Sequence, residues 1–163
     1  MVESCLGCLR KGDKMKYTCT EQISLPLNQV IKIWTHEQYL KNWQDGYLRT
    51  EIVSGEPGEV GAKAKIFFDD GRRKMELLET ILVNNLPNEK TALYEHKHMT
   101  NTQTTRFIAI SDNETQYISE VEYTKFNGFI PKLMAKLVPD VFRKQSLKWM
   151  IQFKVFAEME YNK

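Results

Sequence analysis

The stretch that decides the fold is residues 139–160, which read PDVFRKQSLKWMIQFKVFAEME. Apolar residues recur here at the spacing of an amphipathic helix, so we predict one long helix, Pro139–Glu160. Its apolar face consists of Val141, Phe142, Trp149, Met150, Phe153 and Phe156. A helix cannot bury such a face alone, so it must lie across another element.

The residues before this helix, from about Gly61, read mainly as antiparallel strands. The five predicted strands in this part are Ala62–Asp69, Arg72–Val83, Lys90–His98, Asn101–Ile110 and Thr115–Lys125, and a sixth, Tyr47–Ser54, lies before Gly61. A further strand, Lys16–Leu25, comes first because apolar and polar residues alternate along it. Each strand is bounded by turn-forming residues, and Asp70-Gly71 is a strong hairpin signal.

Two short helices are expected after the first strand. Pro26 opens one that runs to Trp34, since proline is tolerated in a first helical turn. Residues 35–38 have the form of a capping box that starts a second helix ending at Trp43. A third short helix is predicted at Phe129–Leu137, just before the long one.

Two hairpin registers select the inward face of the sheet. A two-residue turn at Asp70-Gly71 predicts the pairs Phe68–Arg73, Ile66–Met75, Ala64–Leu77 and Ala62–Glu79. If the last hairpin closes over five residues, its pairs are Ala109–Tyr117, Phe107–Ser119, Thr105–Val121 and Gln103–Tyr123. The same parity places Tyr94, His96 and His98 inward, beside Thr105, Gln103 and Asn101. Glu120 and Glu122 then face solvent.

Composition bounds the class of protein. With 163 residues, 42% hydrophobic and 27% charged, the chain is long enough for one domain with a substantial core. The 23 basic and 21 acidic residues give a net charge of +2, which supplies no basic excess for nucleic acid. No apolar run is long enough to span a bilayer, so no stable membrane insertion is expected.

We expect residues 1–14 to form a flexible tail and residues 15–163 a single domain. Cys5 and Cys8 lie in this tail, and a zinc site would need a second cysteine pair that the chain lacks. Either Met1 or Met15 fits as the native start. Three cysteines without a secretory signal favour the cytoplasm.

The order of elements resembles the SRPBCC superfamily, also called START-like or Bet v-like, in its polyketide cyclase/dehydrase and lipid-transport branch. The resemblance runs from Met15 to about Glu160 and is carried by residues 15–17, Leu25-Pro26, 30–43, 55–58, Gly61, 79–81, 85–87 and 144–147. It implies an α+β helix-grip fold: a curved seven-stranded antiparallel sheet, two short helices after the first strand, and a long C-terminal helix across the sheet. It also implies a cavity between sheet and helix.

The inward residues predict a site for a small apolar or amphipathic ligand, lipid-like or polycyclic. The predicted ligand-binding residues are Phe68, Met75, Leu77, Glu79, Tyr94, His96, Gln103, Phe107, Tyr117, Ser119, Val121, Tyr123, Met150 and Phe153. Such a protein would have the small hydrophobic ligand as its partner and would be a monomer or a weak homodimer.

Catalysis is left open, because no serine, cysteine or zinc-protease motif is present. The alternative is a cyclase or dehydratase in which Glu79 or His96 transfers a proton, since a carboxyl in an apolar cavity has a raised pKa. Glu21 shares the inward parity, and each carboxylate could instead pair with Arg73 or a lysine. A chaperone-activator-like protein-binding module is a second alternative.

His96 and His98 are spaced as metal ligands can be, with Glu79 as a conceivable third ligand. Two histidines do not define a site, so we expect no metal and no cofactor. The alternatives for these imidazoles are polar contacts to a ligand or to water, and ordinary surface positions near the end of the hairpin.

Overall fold

The structure is a computed structural model that describes residues 6–11, 14–129, 133 and 140–162, and only the backbone of residues 6–11 and 14. Its elements are β1 Leu6–Lys11, β2 Lys14–Ile23, α1 Leu27–Trp34, a 3₁₀ turn Glu37–Tyr39, α2 Leu40–Trp43, β3 Tyr47–Ser54, β4 Lys63–Asp69, β5 Lys74–Asn85, β6 Glu89–His96, β7 Met99–Ser111, β8 Glu114–Phe126 and α3 Asp140–Tyr161. The predicted α+β architecture of strands β2–β8, two short helices and one long closing helix is confirmed.

All the strands belong to one antiparallel sheet in the order β1-β2-β8-β7-β6-β5-β4-β3. The first strand differs from expectation. Leu6–Lys11 pairs with β2, where the sequence had predicted a flexible tail over residues 1–14. The sheet therefore has an additional edge strand beside the seven that were predicted.

The register of the β4–β5 hairpin is corrected by two residues. Phe68 lies opposite Met75 rather than Arg73. The carboxylate of Asp70 accepts hydrogen bonds from the backbone N–H groups of Arg72 and Arg73, at 2.8 and 2.7 Å, so the turn spans more than two residues. A shift of two residues leaves every side chain on its predicted face.

The β7–β8 register is corrected in the same way. Phe107 lies opposite Tyr117 rather than Ser119, and the inward face is again unchanged. In the β6–β7 hairpin, Tyr94 lies opposite Asn101. His98 falls in the turn and is exposed, so its predicted inward position is wrong.

The closing helix α3 packs over β2 and the two short helices, not evenly across the sheet. Its buried residues are Met150, Phe153, Phe156 and Ala157. Phe153 has no exposed surface and meets the rings of Trp43 and Tyr117 edge-on, with centroids 5.2 and 5.9 Å away. Val141 was predicted to be apolar contact surface but is 46% exposed.

The capping box predicted at residues 35–38 does not form. The Thr35 hydroxyl donates to the carbonyl oxygen of Ile31 at 2.8 Å, so it closes the end of α1 instead of starting the next helix. His36 occupies the N-cap position of the 3₁₀ turn without a side-chain hydrogen bond. Most of the helix predicted at residues 129–137 lies outside the described residues. None of the helices described here is both long and apolar enough to cross a membrane.

Candidate functional site

A row of inward residues crosses the centre of the sheet. Residues directly opposite one another on successive strands are Ile52, Ala64, Glu79, Tyr94, Asn101, Tyr123 and Met15. Glu79, Tyr94 and Asn101 occupy its middle, and we call these three residues the polar row. They lie on β5, β6 and β7, so rigid backbone pairing fixes their spacing.

Glu79 and Tyr94 form a hydrogen bond inside this row. The Tyr94 hydroxyl donates to Oε1 of Glu79 at 2.9 Å. Burial, and next the negative charge of Glu79, raise the pKa of Tyr94 well above its usual value. The hydroxyl therefore keeps its proton at neutral pH and remains a donor to the carboxylate.

Two amides extend the polar surface. Asn101 and Gln103 lie two residues apart on β7 and share the inward face. Among the described residues, neither side chain has a hydrogen-bond partner. Asn101 was not predicted as a ligand residue, although the alternation that selected Gln103 places it on the same face. The amides thus leave donors and acceptors available on the inner surface.

Burial is uneven across the inner face. On β2 and β8, inward residues such as Tyr17, Tyr117 and Val121 are each only 2% exposed. Nearer the His96–Met99 end of β5 to β7, the inward side chains Met75, Leu77, Glu79, Tyr94, His96, Asn101 and Gln103 remain only partly buried, whereas Thr105 and Phe107 farther along β7 are buried. A separate small buried cluster of Ala62, Ile81 and Ala92 packs beside Tyr94. The central part of the inner face is therefore less tightly covered than the part under α3.

This difference in burial sorts the predicted ligand residues. Six of them are almost fully enclosed by protein: Phe107, Tyr117, Ser119, Val121, Met150 and Phe153. They pack into the core and offer almost no surface to a ligand. Phe68 is 6% exposed and stacks on Trp149, with centroids 5.7 Å apart. Partly accessible surface remains on Met75, Leu77, Glu79, Tyr94, His96, Gln103 and Tyr123.

His96 lies at the end of β6, next to the turn. Its Nδ1 accepts a hydrogen bond from the backbone N–H of His98 at 3.3 Å, which leaves Nε2 to carry the proton of the neutral ring. Partial burial, and then the charges of His98 and Lys97, lower the pKa of His96. The imidazole is therefore neutral at pH 7 and can accept a proton.

Glu21 is the other inward carboxylate. Its Oε2 lies 3.8 Å from Nζ of Lys154 on α3, and only 11% of its side chain is exposed. A lysine partner was one of the sequence alternatives for this carboxylate, and here it joins β2 to the closing helix. Glu21 is thus part of the contact that holds α3 in place.

No cluster of three or more His, Cys, Asp or Glu side chains suited to a metal ion occurs in the described part of the chain. His98 is exposed in the turn, and the Glu79 carboxylate binds the Tyr94 hydroxyl instead of an imidazole. The described residues therefore do not assemble the three-ligand arrangement considered from the sequence.

A surface pocket of about 290 Å³ lies between the 3₁₀ turn, α2 and β3. The residues that line it are Glu37, Gln38, Lys41, Tyr47, Leu48, Arg49 and Thr50. The Tyr47 ring contacts Phe68 with centroids 6.0 Å apart, so the pocket adjoins the β3 edge of the inner face. Sequence patterns did not predict it, because it depends on how α2 sits against the sheet edge.

Comparison with solved structures identifies the fold. The Zhui aromatase/cyclase from Streptomyces sp. R1128 matches with a TM-score of 0.73 and 11% identity, over 89% of this chain and 94% of that one. TTHA0849 from Thermus thermophilus matches with a TM-score of 0.71 and 14% identity, over 89% and 98%. Ara h 8.0201 matches with a TM-score of 0.68 and 14% identity, over 90% and 99%.

These structural neighbours confirm the helix-grip fold that the sequence resemblance predicted. Their low sequence identities carry no residue roles across. No protein-family model and no curated protein matches the sequence. The site must therefore be interpreted from its own chemistry.

Proposed function

We propose that this protein binds a small apolar or amphipathic ligand between the inner face of the sheet and the closing helix. The observation that carries the proposal is the contrast in burial across that face. Inward residues under α3 are enclosed, whereas Leu77, Tyr94 and Gln103 keep accessible surface. A ligand with an apolar body would bury Met75 and Leu77, and its polar group would meet the polar row.

A space-filling substitution tests this proposal. Leu77→Trp would place a larger ring on the inner face and should abolish uptake of the neutral fluorescent probe N-phenyl-1-naphthylamine. Leu78→Trp is the matched control, because Leu78 is the next residue of β5, is also partly buried, and points to the opposite face. Equal effects of the two substitutions, or a wild-type protein that takes up no probe, would contradict the proposal.

A cyclase or dehydratase is the second candidate function, because Glu79 places a carboxylate next to the Tyr94 hydroxyl and His96 supplies a neutral imidazole nearby on β6. The aromatase/cyclase among the structural neighbours shares the fold. Turnover of an aromatic polyketide substrate should then fall at least about a hundredfold in Glu79→Gln or His96→Gln. Unchanged turnover in both variants would remove these proton-transfer roles.

A further inference from the structure

The charged side chains of the inner face differ in whether they have a partner that offsets their charge. Lys154 faces Glu21, as described above, and Nζ of Lys90 lies 5.1 Å from the centre of the Trp34 ring. Lys90 is four residues before Tyr94 on β6, about 13 Å along the strand, so it does not reach the polar row. Within the described residues, no cationic side chain forms a salt bridge with Glu79.

Among the described residues, the partly buried Glu79 carboxylate therefore has one partner, and that partner is neutral. Tyr94 donates to Oε1, and the described chain supplies no donor to Oε2. A carboxylate removed from water is costly unless a cation or several donors compensate it. Charge-assisted hydrogen bonds provide the strongest such compensation.

We propose that Glu79 selects ligands that carry a protonated amine on an otherwise apolar body. The ammonium group would donate to Oε2, and the apolar body would lie against Met75 and Leu77 on the same strand face. The hydroxyl of Tyr94 holds the carboxylate in position from the other side. This inference rests on the proposed ligand-binding function and adds the chemical class of the ligand.

Competition among three matched amphiphiles tests the preference. Dodecylamine, dodecanol and dodecanoate share one chain length and differ in the polar group. Each would displace N-phenyl-1-naphthylamine from the wild-type protein at pH 7, below its aggregation concentration. We expect dodecylamine to bind about tenfold or more tightly than dodecanol, with dodecanoate weakest, because the ammonium group brings a positive charge to the carboxylate whereas the hydroxyl is neutral and a second carboxylate is repelled.

Two variants and a control assign the preference to Glu79. Glu79→Gln keeps an oxygen acceptor for the Tyr94 hydroxyl and should make dodecylamine and dodecanol equivalent. Tyr94→Phe keeps the carboxylate and should retain the amine preference. Glu95→Gln removes one negative charge from the exposed face of the neighbouring strand and should also retain it.

The outcomes separate this inference from the proposed function. Probe uptake with no amine preference, or an amine preference that survives in Glu79→Gln, would overturn the inference and leave ligand binding intact. A wild-type protein that binds neither the probe nor any of the three amphiphiles would overturn the proposed function itself. Loss of the preference in Glu95→Gln as well would show a general charge effect and also overturn the role of Glu79.

Discussion

The hydroxyl of Tyr17 on β2 lies 2.9 Å from Oγ of Ser146 on α3 and donates to the carbonyl oxygen of Phe142 at 3.1 Å. Because that donor is used on the carbonyl, the Ser146 hydroxyl donates in return to Tyr17. These two bonds join residues 125 and 129 positions apart. They fix the first turns of the closing helix over the first long strand.

Tyr17→Phe should lower the free energy of unfolding by about 1–2 kcal/mol, because the ring stays buried while both hydrogen bonds are lost. Urea denaturation gives the measurement. Ser146→Ala should cost less, since it leaves the bond from Tyr17 to Phe142 in place. In the double variant the two effects should be less than additive, whereas full additivity would show that the hydroxyls do not interact.

Buried tyrosines predict a loss of stability at alkaline pH. Burial raises the pKa of Tyr117 and of Tyr123 to about 12, and burial also raises that of Tyr17. The folded protein therefore holds these protons more tightly than the unfolded chain does. The resulting stabilisation is complete below about pH 10, the ordinary tyrosine value, and is lost as pH rises from about 10 to about 12.

The measurement is the free energy of unfolding in urea from pH 9 to pH 11. It should decline with pH, and the slope should be smaller in Tyr117→Phe because one titrating group is gone. Without urea, tyrosinate absorbance should rise over the same pH range in which the protein unfolds. A slope that Tyr117→Phe leaves unchanged would contradict the assignment to this tyrosine.

Phe153→Ala should reduce stability by about 3–5 kcal/mol, the range for removing a fully buried phenylalanine. The ring has 0% exposure and lies between Trp43 and Tyr117, so its loss leaves a cavity in a packed cluster. Thermal and urea unfolding, each with and without N-phenyl-1-naphthylamine, give the measurement. Val155→Ala is the control on the same helix, because Val155 is 50% exposed and should cost little. A loss near zero for Phe153→Ala would contradict the placement of α3.

Gly46→Ala should destabilise the protein more than Gly61→Ala does. Both glycines have positive φ, at 76° and 88°, so both substitutions strain the backbone by about 1–2 kcal/mol. A Cβ at Gly46 would also lie 2.9 Å from the carbonyl oxygen of Asp69, whereas one at Gly61 meets nothing within 4 Å. Equal changes in melting temperature would show that the backbone near Asp69 moves freely to accommodate the methyl group.

Much of the sheet was predictable because strand periodicity is local. The alternation around Tyr94 and Gln103 assigns each residue to a face without reference to any distant contact. The two hairpin registers were not predictable to better than two residues. A shift of two residues keeps the apolar side chains inward and leaves the alternation of apolar and polar residues unchanged. Their values depend on turn bonds such as those that Asp70 makes to the backbone of Arg72 and Arg73.

The sequence by itself determined the strands, the helices and the inward face, because periods of two and of about 3.6 residues are local properties of the chain. The resemblance of their order to a known superfamily predicted the helix-grip architecture. Tertiary structure decided which inward residues are accessible. Two contacts hold α3 over β2, one between Tyr17 and Ser146 and one between Glu21 and Lys154. Phe153 and Tyr117 therefore become packed core, while Glu79 and Tyr94 keep accessible surface. Alternation assigns a face to each residue, but only contacts between distant segments determine how deeply that face is covered.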